Sequence, residues 1–183
     1  MKLKIVQTGD PVLRLQAREL SVEEILSAEI QHLIELMKET MRDAPGVGVA
    51  APQIGESLQI AVIEDRQEFM QNFSVEQLKE RERSPVPFHV IINPKITIKE
   101  ADTVEFYEGC LSVAGFVGLV PRAIAVKVEC LNEQAIPVTI QARGWYARIL
   151  QHEIDHLHGK LCIDRMKIQS FTTFENYNKY LKK

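Results

Sequence analysis

The sequence contains the pattern His-Glu-Ile-Asp-His at residues 152–156, inside a stretch that predicts a helix over residues 144–158. Gly159 follows this stretch, in the position that glycine favours after a helix C-terminus. Residues four apart on a helix lie on one face, with about 5–6 Å between their Cβ atoms. His152 and His156 can therefore bind the same divalent ion. The need to present both histidines to one metal ion constrains the fold more than any other feature of the sequence.

The residues around this motif predict that it is buried and chemically active. Leu150 and Leu157 are apolar, and two unliganded imidazoles between them would be costly to desolvate. Metal binding therefore explains the motif better than a chance pairing of two histidines. Glu153 lies beside the first histidine, where a carboxylate can take a proton from a metal-bound water.

Two imidazoles leave the ion short of a third protein ligand, and the sequence offers several candidates. His158 comes two residues after the second histidine, which turns it well over 150° away on a helix, so we do not expect it to bind. Asp164 and Glu175 lie downstream, but neither is in a recognisable local motif. Cys110 directly follows Gly109 at the end of a predicted strand, where the backbone can turn sharply. Spacing alone does not choose among these residues.

The rest of the chain alternates between helical and strand-like patterns. Apolar residues recur at helical spacing over residues 22–41, behind a capping box formed by Ser21 and Glu24. A further helix is predicted from Ser170. Strands are predicted at residues 58–63, 88–92, 96–98, 103–107, 123–130 and 138–142.

The order of these elements predicts an α+β fold, because a series of strands lies between helices without a βαβ repeat. Residues 65–87 are charged and rich in glutamine, which indicates a solvated surface insertion with one helical turn near residues 75–78. We expect residues 1–183 to form a single domain, with a core over about 1–166 and a helical tail over 167–183.

Composition excludes several classes of protein. The 183 residues carry 22 basic and 25 acidic side chains, for a net charge of −3, which does not indicate nucleic-acid reading or binding to a membrane surface. Three cysteines do not form a disulfide framework, and Cys130 and Cys162 lie in apolar runs typical of the core. We find no signal peptide and no membrane span, and we expect a cytoplasmic protein.

Three motifs then occur in the order and spacing of a known family. Residues 46–53 read GVGVAAPQ, residues 108–112 read EGCLS and residues 151–156 read QHEIDH, with GDPVLR at 9–14 and VPR at 120–122. On these residues the chain resembles a peptide deformylase from about position 5 to 166. The resemblance implies short antiparallel β-sheets around a central metal-binding helix, with N-terminal and C-terminal helices. It implies removal of the formyl group from the N-terminal formyl-methionine of newly made polypeptides, with release of formate.

The resemblance also implies the roles of individual residues. Cys110, His152 and His156 would hold the metal, and a metal-bound hydroxide would attack the formyl carbon. Glu153 would accept the proton of the water and deliver it to the departing amine. The amide of Gln53 and the backbone N–H of Leu111 would donate to the developing oxyanion.

The substrate would lie between the first loop and the ligand helix. Gly48 would let the loop approach the site, because glycine has no Cβ atom. The remaining candidates for substrate contact are Gly109 and, around the methionine side chain, Val47, Trp145 and Ile149, with Phe106 a weaker choice. Core packing is the alternative for each pocket residue. Trp145 and Arg148 resemble the organellar branch of the family more than the bacterial one.

Two arguments about the metal disagree. One thiolate and two imidazoles favour Zn²⁺ on general chemistry. The resemblance implies one Fe²⁺ per chain in the cell, with Ni²⁺, Co²⁺ or Zn²⁺ able to replace it, and we follow the resemblance. In some relatives a C-terminal helix contacts the ribosome, so a weak, transient ribosome contact through residues 170–183 is a hypothesis. Packing of the tail on its own core is favoured.

Two other functions fit part of the pattern. The His-Glu-x-x-His helix alone also allows a small zinc peptidase, which would cut an internal amide. A binding module with a structural metal would need a fourth protein ligand, and the sequence offers no suitable residue for this.

Overall fold

The computed structural model describes residues 2–182, and Met1 and Lys183, where the predicted domain begins and ends, lie outside the described residues. The helices are α1 (Val22–Ile25), α2 (Ala28–Asp43), α3 (Val75–Glu80), α4 (Gly144–Leu157) and α5 (Phe174–Asn176). The strands are β1 (Gly48–Ala50), β2 (Ile60–Asp65), β3 (Val86–Gly109), β4 (Phe116–Leu131), β5 (Pro137–Arg143) and β6 (Thr172–Thr173). None of the helices in the described part of the chain is both long and apolar enough to cross a bilayer.

The strands form one antiparallel sheet in the order β1-β2-β3-β4-β5, with β6 paired to β4. The three short strands predicted between residues 88 and 107 are consecutive parts of β3. Its pairing with β4 runs from Ile92 opposite Leu131 to Gly109 opposite Val117, with register shifts that bend the hairpin. Helices and an antiparallel sheet confirm the predicted α+β class.

Helix α4 packs against this sheet through an apolar face. Leu150, Ile154 and Leu157 recur at steps of four and three residues, and all are buried in one core cluster with Ile63 and Val126 of the sheet. Burial of each such side chain stabilises the fold by about 1.5–3 kcal/mol. The helix predicted over residues 144–158 is confirmed, and Gly159 follows with a φ of +69°.

The N-terminal helical pattern differs from the prediction, because it forms two helices where one was expected over residues 22–41. Ser27 interrupts it: its hydroxyl donates to the Glu24 carbonyl and accepts from the Ile30 N–H. These bonds make Ser27 the N-cap of α2 and end the short α1 at Ile25. The predicted capping box of Ser21 and Glu24 is present at the start of α1.

The insertion over residues 65–87 is largely exposed, as its composition predicts, but its two ends are anchored to each other. The predicted helical turn is the start of α3, which Ser74 caps. Beyond it, the Arg83 guanidinium donates two 2.8 Å hydrogen bonds to the Asp65 carboxylate, and both side chains are buried. The ion pair closes the two ends of the insertion against each other.

The end of the insertion also contacts the start of α4. The backbone N–H of Trp145 donates to the Arg81 carbonyl at 2.9 Å. Gly144 has a φ of +60°, and a Cβ atom there would lie 2.4 Å from the Glu82 Cβ. Only glycine satisfies both the backbone conformation and this close approach.

The tail is partly helical, but its helix begins later than predicted from Ser170. Thr172–Thr173 is extended and pairs with Phe116 and Val117 of β4. Helix α5 follows, and a π-helical turn covers Tyr177–Leu181.

Candidate metal centre

Two elements bring the predicted ligands together. Cys110 follows the last residue of β3, and both histidines lie on α4. The Nε2 atom of His156 is 3.1 Å from Nε2 of His152 and 3.4 Å from Sγ of Cys110. A tetrahedral ion at usual bond lengths would separate two nitrogens by about 3.3 Å, and a nitrogen from a sulfur by about 3.6 Å. The three side chains therefore fit one metal ion, and their ligand atoms all lie within 4.8 Å of one another.

The other candidates for third ligand lie elsewhere. His158 is exposed, one residue beyond the end of α4. The Asp164 carboxylate accepts from the Arg14 guanidinium and from the Leu161 N–H. Glu175 is exposed in the tail. None of the three belongs to the cluster of ligand atoms found among residues 2–182.

Glu108 orients the first histidine. The Nδ1 atom of His152 is 2.5 Å from Oε1 of Glu108, so its N–H donates to the carboxylate and Nε2 is left to face the metal position. Although burial acts in the opposite direction, His152 and Arg122 hold the pKa of Glu108 well below its usual range. A permanently charged acceptor therefore fixes the ring.

Burial and neighbouring charges also change the pKa values of the ligands themselves. Burial lowers the pKa of His152, but Glu108 raises it overall to about 9. Burial and then His152 hold the pKa of His156 well below its usual value. A hydrogen bond with the Cys162 thiol, together with burial, raises the pKa of Cys110. Metals bind the thiolate, so a cation has to displace the Cys110 proton on binding.

A buried network of charges surrounds this centre, and the sequence reasoning assigned it no role. Arg122 and Arg148 both donate to Glu108, at 2.7 and 2.9 Å, and Arg122 also donates to Asp155. Arg148 further donates to the carbonyls of Val120 and Val104. These bonds hold α4 to the β3–β4 hairpin. In the sequence, the only indication of this network was the position of Glu108, two residues before the candidate ligand Cys110.

Glu153 faces the same centre and is almost fully buried. Burial raises the pKa of its carboxyl group to about 7. Its Oε2 atom has no hydrogen-bond partner within residues 2–182. A Cβ atom on Gly48 would lie 2.3 Å from the other oxygen, so β1 approaches Glu153 as the glycine motif predicts. A buried carboxyl group with this pKa can both accept and release a proton near neutral pH.

Gln53 is buried behind the ligands, with its amide group held in one orientation. Its Oε1 accepts from the Ala50 N–H at 3.0 Å, which leaves Nε2 as the donor toward the site. Nε2 lies 3.3 Å from Oγ of Ser112 and 3.6 Å from Sγ of Cys110. Leu111, the second predicted oxyanion donor, directly follows Cys110.

A cleft of about 680 Å³ opens over these residues, within the size range of sites for small ligands. Its walls include all the predicted site residues except His156: Val47, Gly48, Gln53, Gly109, Cys110, Leu111, Trp145, Ile149, His152 and Glu153. Phe106, the weaker pocket candidate, is not among the lining residues in the described part of the chain. Its ring packs against Trp145, with 6.0 Å between ring centroids.

A thiolate and two imidazoles at the base of a cleft, with a buried carboxyl group beside them, define a mononuclear metal centre of the kind that metal-dependent hydrolases use.

The chain belongs to the polypeptide deformylase family, whose model matches residues 2–171. It is 47% identical to peptide deformylase 1A, chloroplastic, of Solanum lycopersicum over 94% of this chain and 62% of that protein. It is 43% identical to peptide deformylase 1 of Bifidobacterium longum over 97% of this chain and 79% of that one. The chain thus spans 62% of the tomato protein, and 64% of a similar relative from Arabidopsis thaliana.

Solved structures of the family share the fold. The crystal structure of a class I type b peptide deformylase from Acinetobacter baumannii, bound to Met-Ala-Ser, matches with a TM-score of 0.80. That protein is 32% identical, and the match covers 91% of this chain and 99% of that chain. The peptide deformylase of Thermotoga maritima matches with a TM-score of 0.74 at 34% identity, over 91% and 99% of the two chains.

Proposed function

We propose that this chain is a metal-dependent hydrolase that removes the formyl group from the N-terminal formyl-methionine of newly made polypeptides. The observation that carries the proposal is the joint position of Cys110, His152 and His156 beside the buried Glu153, at the base of one cleft. Family membership gives the reaction class. We further propose one domain over residues 1–183, with a catalytic core over about 1–166 and a C-terminal helical tail over 167–183.

Cys110, His152 and His156 would hold one divalent ion, and the carboxylate of Glu108 would keep the His152 ring in the binding orientation. When bound, such an ion supplies the Lewis acidity that activates water and polarises a carbonyl group. We propose Fe²⁺ as the ion in the cell, with Ni²⁺, Co²⁺ or Zn²⁺ able to replace it. Metal analysis of protein purified without oxygen, together with activity, tests this assignment.

Glu153 would hold the proton between the two halves of the reaction. Its carboxyl group takes a proton from the attacking water and gives it to the amine that leaves as the formyl C–N bond breaks. Burial places the pKa of this group at about 7, which suits both transfers. The Glu153 side chain has room for this role because Gly48 presents no Cβ atom to it.

Gln53 and Leu111 would stabilise the oxyanion that develops on the formyl oxygen. The Gln53 amide already has its Oε1 engaged by the Ala50 N–H, so its Nε2 is oriented as a donor before substrate binds. The backbone N–H of Leu111 would supply the second hydrogen bond. Donors that need no reorganisation contribute strongly to such steps.

The methionine side chain of the substrate would lie in the apolar part of the cleft, beside Val47, Trp145 and Ile149. Gly109 would allow the peptide backbone to approach β3. The relative from A. baumannii binds Met-Ala-Ser, a peptide that begins with methionine, and this supports a peptide end as the ligand. A net charge of −3 also suits such a ligand better than nucleic acid.

We place the protein in the cytoplasm, where nascent chains carry formyl-methionine. A weak, transient contact of the tail with the ribosome is a further proposal, supported by the exposed Phe171, Phe174 and Tyr180 of the tail. Co-sedimentation of the full chain with ribosomes, compared with a Phe174→Ala/Tyr180→Ala variant, tests it. Equal co-sedimentation of the two proteins would reject a contact through these residues.

Formate release from a formyl-Met peptide is the decisive test of the function. We expect Glu153→Gln to retain the metal and to lose at least about 100-fold in kcat, because general acid–base catalysis contributes that much. Glu175→Gln is the matched control, since Glu175 is exposed and lies outside the cluster. Near wild-type activity of Glu153→Gln would overturn the mechanism. Cleavage of internal amides without formate release would favour a zinc peptidase.

A further inference from the structure

The C-terminal tail lies along the same cleft as the metal centre. Strand β6 pairs with the start of β4, and the Phe174 N–H then donates to the Gly115 carbonyl at 2.9 Å. Gly115 is the last residue of the loop that carries Cys110, so this bond joins the tail to the loop of the site. The cleft is lined by Cys110 and His152 and also by the tail residues Phe174, Tyr177, Asn178 and Lys182.

Aromatic rings fix the tail against the β3–β4 hairpin. The ring of Tyr177 lies 4.7 Å from that of Tyr107, between centroids, and Phe171 stacks on Phe116 at 4.9 Å. Both hairpin rings line the cleft. Phe174 lies 6.3 Å from Tyr177 and completes an aromatic wall. Such pairs hold their rings in preferred geometries, so the wall is formed in advance of any ligand.

This wall remains partly uncovered. Phe116 is 40% exposed and Phe174 is 54% exposed, so both can bury further apolar surface against a ligand. The distance of this wall from the metal centre can be worked out along β3, which carries Tyr107 and ends just before Cys110. Tyr107 precedes Cys110 by three residues of extended chain, which corresponds to about 10 Å. A bound peptide in an extended conformation would cover the same distance with about three residues.

We propose that the tail residues lining the cleft, Phe174, Tyr177, Asn178 and Lys182, form the wall that receives the second and third residues of the substrate peptide, and that this wall favours apolar side chains there. The inference rests on the proposed function and extends it to the residues after the first methionine. Continuity of the wall with the metal centre selects an extended peptide as the occupant, because Tyr107 and Tyr177 line the same cleft as Cys110 and His152.

The test compares two substrates of equal length, formyl-Met-Leu-Leu amide and formyl-Met-Gly-Gly amide. The amide ends remove the carboxylate that Lys182 would otherwise attract. We expect wild type to prefer the Leu-Leu peptide in kcat/KM. Tyr177→Ala should reduce this preference about fivefold, mainly through KM, because one aromatic contact is lost. Tyr177→Phe should restore it.

Tyr180→Ala is the matched control, since Tyr180 lies on the same turn, is 66% exposed and is not among the described residues that line the cleft. Its preference should equal that of wild type. An unchanged preference in Tyr177→Ala, or an equal loss in Tyr180→Ala, would overturn the inference.

Failure of the proposed function gives a different result, namely no formate release by wild type from either peptide. The wall is then judged by calorimetric binding of Met-Leu-Leu amide. About fivefold weaker binding by Tyr177→Ala than by wild type upholds the wall, and equal binding by the two proteins overturns it.

Discussion

The contact between Gly48 and Glu153 makes a sharp prediction about catalysis. In Gly48→Ala, the new Cβ atom would lie 2.3 Å from Oε1, 2.6 Å from Cδ and 2.9 Å from Cγ of Glu153. Ordinary contact begins at about 3.4 Å, so the carboxyl group has to retreat by about 1 Å. A misplacement of this size costs about 100-fold in rate, or about 2.7 kcal/mol in transition-state stabilisation. We therefore expect kcat to fall by about two orders of magnitude.

The assay is steady-state formate release, together with the metal content and melting temperature of each variant. Gly46→Ala is the matched control in the same loop. Its Cβ atom would approach Cδ1 of Leu111 at 2.9 Å, and the end of a leucine side chain can move aside. We expect that control to stay within about threefold of wild type, since no carboxylate is displaced. The reasoning is refuted if folded, metal-loaded Gly48→Ala also stays within threefold of wild type.

Three further predictions concern stability. A chelator should lower the melting temperature by about 6–16 °C, because a cation in 100- to 1,000-fold excess over Kd contributes about 3–4 kcal/mol; calorimetry checks this, and an equal shift in Cys110→Ala would contradict it. Glu64→Gln should cost about 0.5 kcal/mol at pH 7, a small value because Arg42 is 43% exposed. The hydrogen bond from Arg42 lowers the pKa of Glu64 below 4.5, so this stabilisation is present above pH 4.5 and is lost as the pH falls through the folded-state pKa. Urea unfolding of wild type and variant at pH 7 and at a pH below the folded-state pKa measures it, and an equal difference in unfolding free energy at the two pH values would rule it out. Asp65→Asn should cost about 3–5 kcal/mol by leaving the buried Arg83 unpaired; a cost under 1 kcal/mol in urea unfolding would argue against the anchoring of the insertion.

Features set by neighbouring residues were predictable from the sequence. The apolar spacing around Leu150 and the glycine at position 159 give both ends of α4, because helix packing and helix termination are local signals. The pairing of the two histidines follows from the helical period alone. The identity of Cys110 as their partner came only with the family motifs, because spacing says nothing about which distant strand meets a helix.

Contacts between distant parts of the chain were not predictable in the same way. Ser27 divides the first helix through hydrogen bonds that the apolar pattern does not reveal. The charged insertion has the composition of a solvated loop, yet the pairing of Arg83 with Asp65 buries its ends. In the sequence, Glu108 does not differ from other glutamates in predicted strands. Its hydrogen bonds with His152 and Arg148 form only in the folded chain.

The separation of the ligands along the chain has a consequence for the order of events during biosynthesis. Cys110 and His156 lie 46 residues apart, on a hairpin and on a helix that follows it. Before α4 docks on the sheet, Cys110 is a single thiol beside a strand and cannot chelate an ion with the two histidines. Binding of the cation by all three ligands therefore comes late, in a chain whose sheet and helix have already met. Metal acquisition would then report completed folding in this protein, unlike in small zinc modules, where the ion starts it.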